Sequence, residues 1–420
     1  MHPLSHPLRW CSFVLLLAML ACALPATATA VPAPATLPAP GATTAPSEIP
    51  ATPTPTSTAA APSIDLGQLK QGLDAAIPAI MQSSNSAACS LAVVDPDPAA
   101  AGLRTQFFNY GTLSRESTTP VDSTTEYEIG SVTKLFTADV LALNVQAGTM
   151  NLDDPLQKYL PSNVHVPAYN GQVITLKELS THTSGLPRTL PSGSTVSKVN
   201  GIPMWGYNSE QDIFDFLDTY QLTRAPGAKW EYSNLANGLL GIAEAQLGQT
   251  SYEALVTEKI TGPLGMNDTH IVLPPAAKAR LAQGYTTNGK IAPITATQGG
   301  TLAAGAIRST THDLAIYLAA NIDPQGKKLA SVLQMTQQQH DKGPKQNVVM
   351  GLGWLIANPG AANELFNKDG STLGYNSYIA FSRSKQTGFV ALCNGHPISG
   401  LLAPIEKLLN LVGGTTDDNQ

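Results

Sequence analysis

The 420-residue sequence predicts a mixed α/β (α+β) fold in which sheet segments lie at both ends of the globular part and an all-helical insert, at about residues 151–300, lies between them. Three observations predict it. Strand-like apolar runs bounded by Gly and Pro occur early (residues 89–94 and 106–110) and again late (residues 351–356, 377–381 and 388–392). Between them the apolar spacing is helical or the chain is loop-like. One helix just before the insert, residues 131–146, is apolar almost all round, and a helix without a polar face belongs in the interior.

The first segment stands apart from that fold. Arg9 precedes an uncharged apolar run from Ser12 to Leu24, and Ala28-Thr29-Ala30 follows as a small-residue cleavage site. That order predicts a secretory signal over residues 1–30. The run is too short for a mature transmembrane helix. Met19-Leu20-Ala21-Cys22 loosely resembles a lipoprotein signal, but the residues before Cys22 match it poorly. Residues 31–63 are nearly all Pro, Ala, Thr and Ser, a composition that cannot offset its ordering entropy and predicts a disordered tether. The globular part is expected over 64–414, with a short tail at 415–420.

Along that part, helices are expected at 66–81, 211–220, 235–247, 252–260, 311–322, 329–339 and 401–411. Charged residues make up 13% of the chain, about half the usual share. The net charge is −6, and loss of Arg9 with the signal takes it to −6 − 1 = −7. Such a balance draws neither nucleic acid nor an anionic membrane surface. Of the four cysteines, Cys11 and Cys22 leave with the signal, and Cys89 and Cys393 remain. In an oxidising compartment they can pair, but buried free cysteine is also common, and both states stay open. No H-E-x-x-H or Cys/His spacing implies a metal, and no Walker loop, dinucleotide fingerprint or G-x-S-x-G elbow occurs. No cofactor is expected.

The chemistry concentrates in three places. In Ser131-Val-Thr-Lys134 a serine and a lysine stand three residues apart where a loop enters the buried helix. Positions i and i+3 share a helix face, so the ammonium can reach the hydroxyl. A desolvated lysine can act as the base that serine needs. The pattern alone is weak, because Ser382-Arg-Ser-Lys385 matches it equally in a polar turn. Tyr232-Ser-Asn234 sits at a loop-to-helix junction, where the phenol can pack or relay a proton. Lys368-Asp-Gly370-Ser371-Thr372 opens the sheet-rich end, where a glycine admits close approach to an edge strand. Backbone N–H groups of Ser131 and Ser371 could together form an oxyanion hole.

This ordered set resembles the serine penicillin-recognising enzymes, with the tyrosine element pointing to the class C β-lactamases and their D,D-peptidase relatives. Surrounding segments match as well: Glu128-Ile-Gly-Ser-Val-Thr-Lys-Leu-Phe-Thr137, His182-Thr-Ser-Gly-Leu-Pro187, Pro263-Leu-Gly-Met266 and Gly351-Leu-Gly-Trp354. Val166-Pro-Ala-Tyr-Asn-Gly171 and Ile174-Thr-Leu176, leading into Thr181-His-Thr-Ser184, look most like the periplasmic D-alanyl-D-alanine carboxypeptidase/endopeptidase branch. The likeness covers essentially residues 64–414.

The resemblance implies a mostly antiparallel sheet flanked by helices, with the helical region across an active-site cleft. It makes Ser131 the acylated nucleophile and gives Lys134 and Tyr232 the general-base and general-acid roles. Asn234 would hold the substrate amide, and Lys368, with Gly370, Ser371 and Thr372, would face the substrate's carboxylate end. Cys89 and Cys393 would lie on neighbouring strands. The implied partner is a small-molecule or peptide substrate (a cell-wall stem peptide, a β-lactam or an ester), and the implied location is the periplasm of a Gram-negative bacterium. His182 reads as a loop-anchoring residue.

Three departures bear on substrate. Asp369 stands where the family usually carries threonine, and it either repels a substrate carboxylate or is turned away. Thr189 stands where class C enzymes place a glutamine. Asn394-Gly-His-Pro-Ile398 lacks the asparagine and arginine that help those enzymes bind carboxylates. These departures make a carboxylesterase on the same scaffold the alternative. A non-catalytic penicillin- or cell-wall-binding module is disfavoured by retention of the serine, lysine and tyrosine.

Overall fold

The computed structural model describes residues 63–191, 196–199 and 202–411. The expected signal, Cys22, the tether up to residue 62 and the tail at 415–420 lie outside the described residues.

Asp65 opens α1 (Leu66–Ser83) by accepting from the backbone N–H groups of Gly67 and Gln68, a cap that satisfies donors left free at a helix start. Leu69, Leu73, Ile77 and Met81 recur every fourth residue and are the buried stripe. The strands β1 (Ala88–Pro96) and β2 (Leu103–Gly111) form a hairpin. The late strands are β3 (Asp341–Lys342), β4 (Val348–Met350), β5 (Leu355–Ala357), β6 (Leu365–Ser371), β7 (Tyr375–Ser382) and β8 (Thr387–Asn394). Together they make one eight-stranded antiparallel sheet in the order β2-β1-β8-β7-β6-β5-β4-β3, so the two ends of the chain meet at β1 and β8.

Both faces of the sheet are covered. Leu91 and Val93 of β1 face a core with α1 and with α7 (Ile398–Leu408), whereas Ala92 and Val94 face the opposite core with α6 (Thr311–Ile322). This two-sided burial follows the two-residue alternation of a strand and explains why β1 is apolar without a break from Leu91 to Val94. Cys89 and Cys393 are register partners on β1 and β8, with Cα atoms 4.2 Å apart, and they are joined by a disulfide.

The apolar helix α2 (Thr133–Gln146) is buried without a break from Thr133 to Ala142. Phe136 and Val140 enter the core shared with the sheet, while Ala138, Leu141 and Ala142 enter a second core built by the insert. The insert contributes α3 (Glu210–Thr219) and α4 (Asn234–Gly248) to that second core, and α5 (Leu302–Gly305) packs against both α2 and α4. It is not wholly helical: Val196–Val199, Ile202–Trp205 and Ile294–Thr295 form a small three-stranded sheet. The expected strand over 351–356 is found only at its end: residues 351–354 are the turn between β4 and β5, where Gly353 adopts φ +74, and only Leu355 and Ile356 lie in β5. The expected helix at 252–260 ends as an α-helix at Val256 and continues as one π-helical turn, Thr257–Thr261.

Candidate active site

The nucleophile candidate lies on a short 3-10 turn, Gly130–Val132, that runs directly into α2. Two glycines let this turn approach the sheet. Gly130 has φ +48, and a Cβ there would stand 2.7 Å from the backbone nitrogen of Ser371. A Cβ on Gly370 would stand 2.1 Å from the carbonyl oxygen of Ile129 and 3.0 Å from the backbone nitrogen of Ser131. Neither contact leaves room for a side chain, so the end of β6 rests on the turn backbone to backbone. Thr372 N–H donates to the Tyr375 carbonyl at 2.9 Å. The alternation of an antiparallel ladder then directs the N–H of Ser371 the other way, beyond the end of β5, which reaches only Asn367.

Four side chains converge at this junction. Ser131 Oγ and Tyr232 Oη are 2.5 Å apart. The Lys134 ammonium donates to Ser131 Oγ at 3.0 Å, to Asn234 Oδ1 at 2.8 Å and to the carbonyl of Ala304 at 2.5 Å. Those three acceptors match the three donors of an ammonium. They come from α2 and its entry turn, the first residue of α4 and α5, so the lysine ties these elements together while being fully buried itself. Asn234 is set by its neighbour Ser233, whose Oγ caps α4 at Ala236 N–H and donates to the Pro187 carbonyl.

Lys368 of β6 is buried with its Nζ 5.2 Å from the centre of the Tyr232 ring. Lys134 Nζ lies 4.9 Å and the Arg188 guanidinium carbon 4.7 Å from the same centre. Three cationic side chains therefore stand within 4.7–5.2 Å of the centre of one phenol ring, close enough for cation–π attraction.

Asp369 takes the other side of the strand. Phe366 of β6 belongs to the core with α2, whereas Leu365 and the register partner of Asp369, Tyr378, belong to the core with α1 and α7. By alternation Lys368 shares the first face and Asp369 the second, next to Tyr378, whose hydroxyl donates to Glu406 of α7 at 3.4 Å. The carboxylate is thus directed off the cleft side of β6.

The cleft is open to solvent and is lined by Ser131, Asn234, Leu190, Thr295, Ala304 and Ser371, among others. Thr189 also lines it. Of the residues singled out in the sequence, Gly370 serves the close approach described above. Thr372 is buried in the turn after β6, its Oγ1 accepting from Gly374 N–H at 3.4 Å. The second Ser-x-x-Lys pattern has no such surroundings: Ser382 Oγ pairs with Ser384 Oγ, and Lys385 donates to the carbonyl of Asn410.

Sequence reasoning did not single out the Ala304 carbonyl, Arg308 or the stacking of His182 on Tyr232. Arg308 forms a buried ion pair with Glu128 at 2.8 Å, and Glu128 also accepts from Thr295 N–H (2.8 Å) and Oγ1 (2.6 Å). This network joins the short strand Tyr127–Glu128, which precedes Ser131, to Thr295 of the cleft wall. A charged pair so far apart in sequence, and a backbone carbonyl, leave no local pattern to read. No group of His, Cys, Asp and Glu side chains able to hold a metal occurs among the described residues.

An antiparallel sheet covered on both faces, with a serine, a buried lysine and a tyrosine in the cleft beside it, defines a serine hydrolase of the β-lactamase/D,D-peptidase type. The chain belongs to the β-lactamase family, whose sequence profile matches residues 74–407. It is 29% identical over 351 residues to the D-alanyl-D-alanine-carboxypeptidase/endopeptidase AmpH of Escherichia coli strain K12, covering 80% of this chain and 85% of that protein. It is 30% identical over 361 residues to a β-lactamase of Pseudomonas fluorescens, covering 78% and 93%. Among solved structures it is similar to the D-alanine carboxypeptidase AmpC from Burkholderia cenocepacia, with a TM-score of 0.68, 26% identity, and coverage of 82% of this chain and 99% of that one.

Proposed function

We propose that this chain is an exported acyl hydrolase in which Ser131 is acylated by D-Ala-D-Ala-type cell-wall peptides and by β-lactams. The observation that carries the reading is the position of Ser131 Oγ between Tyr232 Oη and Lys134 Nζ, at 2.5 and 3.0 Å. In the first half-reaction the Tyr232–Lys134 pair takes the Ser131 proton as Oγ bonds to the substrate carbonyl carbon. The oxygen that becomes anionic is stabilised by the N–H groups of Ser131 and Ser371, which the two glycines bring close together. The carbon–nitrogen bond then breaks, and the proton held by the pair passes to the departing nitrogen. In the second half-reaction the pair takes a proton from water as the water oxygen attacks the ester carbon, the bond from that carbon to Ser131 Oγ then breaks to release the acid, and the proton returns to Oγ.

Asn234 gives its Oδ1 to Lys134, which leaves its amide N–H groups directed to a substrate carbonyl. Lys368 supplies positive charge beside Tyr232 and toward a substrate carboxylate, and Ser371 at the cleft lining assists it. Asp369 on the opposite face removes the reason for preferring a neutral ester, so the peptide reading stands ahead of the carboxylesterase one. Relatives named for D-Ala-D-Ala carboxypeptidase/endopeptidase activity and for β-lactamase activity support the same substrate class.

Export rests on the sequence order of Arg9, the apolar run and Ala28-Thr-Ala30, with residues 31–63 as a tether between the signal and the catalytic part and the periplasm as the destination. Among the described residues no helix is long and apolar enough to cross a membrane. The test is intact-mass spectrometry of the mature protein with a penicillin, beside Ser131→Ala. An adduct requiring Ser131, on a chain starting near residue 31, is expected. A persistent adduct assigns the peptidase, and one that clears as hydrolysed drug accumulates assigns the β-lactamase. No adduct at any time removes the β-lactam part of the reading.

A further inference from the structure

One buried titratable side chain outside the four converging groups touches Tyr232. His182 is 1% exposed and has φ +62, a left-handed backbone that side chains rarely adopt. Its carbonyl accepts from Glu231 N–H at 2.7 Å, and its Nδ1 accepts from Ser233 N–H at 3.1 Å. These two bonds grip the chain on either side of Tyr232. The imidazole also stacks on the Tyr232 ring, with centroids 4.4 Å apart and planes 32° apart. Trp230 meets the imidazole edge-on at 5.9 Å. Because Nδ1 accepts a hydrogen bond, the ring proton sits on Nε2.

We propose that His182 is a positioning residue for the proposed reaction: it clamps residues 231 and 233 and stacks on the ring between them, and so holds the Tyr232 hydroxyl against Ser131. The residue type fits the task. Among side chains enriched at positive φ, namely Asn, Asp and His, only His combines a hydrogen-bond acceptor with an aromatic face. Burial, and then the charges of Lys368, Lys134 and Arg188, hold the imidazole well below its ordinary titration range, so it stays neutral and adds no fourth cation to the phenol. A reacting group displaced by about 1 Å loses on the order of a hundredfold in rate, so a clamp of this kind acts on acylation rather than on substrate affinity.

The inference rests on Tyr232 taking part in proton transfer, and a double-mutant cycle separates the two. Acylation of the full mature protein by a chromogenic cephalosporin is followed under single-turnover conditions. The variants are His182→Phe, His182→Asn, Tyr232→Phe and the pair His182→Phe/Tyr232→Phe, each checked for a cooperative thermal transition. His182→Phe keeps a ring and loses the acceptor, and is expected to slow acylation by about tenfold to a hundredfold with KM little changed. His182→Asn restores an acceptor at a tolerated φ and is expected to recover part of the rate. In the Tyr232→Phe background, His182→Phe is expected to cost less than about twofold, because its route of action is already gone.

Additive effects in the pair, or a His182→Phe rate within about twofold of the parent, overturn the positioning role. If His182→Phe does not fold, the cycle is run with His182→Asn, which keeps the clamp but lacks the ring, and the same non-additivity is required. A Tyr232→Phe variant that acylates at the parental rate defeats the proton-transfer reading itself, and the inference with it. Slow Tyr232→Phe beside unaffected His182 variants defeats the inference alone.

Discussion

Lys368 and Asp369 are neighbours in sequence and face opposite sides of the sheet, the lysine toward the Tyr232 ring at 5.2 Å and the aspartate beside Tyr378. An aspartate that looks adverse in the sequence is thereby kept from the cleft side of the strand. Asp369→Asn is expected to leave acylation by a penicillin within about twofold, whereas Lys368→Ala removes a charge-assisted contact worth about 1.5–3 kcal/mol, or roughly tenfold to a hundredfold in kcat/KM. Comparing a penicillin with a neutral aryl ester in both variants checks this. A large loss for Asp369→Asn that is specific to the carboxylate-bearing substrate would contradict the assignment of faces.

Lys134 is the hub of the site, and its removal tests the chemistry most directly. Lys134→Ala loses the ammonium that contacts Ser131, Asn234 and Ala304, and acylation is expected to fall by about 10²–10⁴, the usual range for a general acid–base group. Single-turnover acylation of Lys134→Ala and Lys134→Arg measures it. The arginine is expected not to rescue, because a guanidinium neither fits three converging acceptors nor gives up a proton near neutral pH. A rate within tenfold of the parent would remove Lys134 from the proton path.

Much of this hub is legible in the sequence, and the part that is not has a physical reason. Ser131 and Lys134 lie on one helix face, so their contact follows from spacing alone, and the apolar surroundings separate them from the equal pattern at Ser382 and Lys385. Tyr232 and Asn234 are legible as a loop-to-helix junction that comes in order after them. The Ala304 carbonyl is 170 residues from Lys134 and carries no side-chain signature. Arg308 is 180 residues from Glu128, and nothing local marks either as buried. The same limit explains the sheet: residues 351–356 read as one strand-like run, yet residues 351–354 turn at Gly353, whose φ is positive, and the strand begins at Leu355. His182 reads as a loop anchor, which its two backbone-directed bonds are, but its stack on Tyr232 needs the third dimension.

The Glu128–Arg308 pair predicts a stability effect separable from chemistry. Both side chains are nearly excluded from solvent, at 2% and 4% exposure, and Thr295 completes the network. Removing one partner leaves the other charge buried, so Arg308→Ala is expected to cost about 3–5 kcal/mol. Replacing the pair by apolar residues of similar volume, as in Glu128→Leu/Arg308→Met, is expected to cost less than the single change. Urea unfolding midpoints at constant m-value give both numbers. A double variant less stable than Arg308→Ala would contradict the burial argument.

The disulfide joins the first strand to the last across 304 residues of chain. Closing so long a loop restricts the unfolded chain, so Cys89→Ser/Cys393→Ser is expected to lose about 2–4 kcal/mol. The mature protein's mass should rise by two hydrogens on reduction after unfolding, and protein kept in a reducing cytosol should match the double variant in stability. An unchanged mass would show that Cys89 and Cys393 stay as free thiols.

Asp139 sits on α2, two turns beyond Ser131, and predicts an unusual dependence of stability on pH. It is fully buried and accepts from the Tyr317 hydroxyl at 2.8 Å, while its Oδ1 has no hydrogen-bond partner. Burial raises its pKa to about 7, against the lowering effect of the Tyr317 hydrogen bond. In the unfolded chain an aspartate titrates near 4. Below about pH 4 the carboxyl is protonated in both states and carries no penalty. Between about 4 and 7 the unfolded chain gives up the proton and the folded one keeps it, so this group's contribution to stability falls as pH rises, by up to about 1.4 kcal/mol per pH unit. Asp139→Asn can still accept from Tyr317 and never ionises, so its stability relative to the parent is expected to improve steadily from pH 4 to 7 and then level off. Urea unfolding of both proteins at pH 4, 5, 6 and 7 checks the sign. A stability difference that is flat over that range would mean Asp139 ionises in the folded state near its ordinary value.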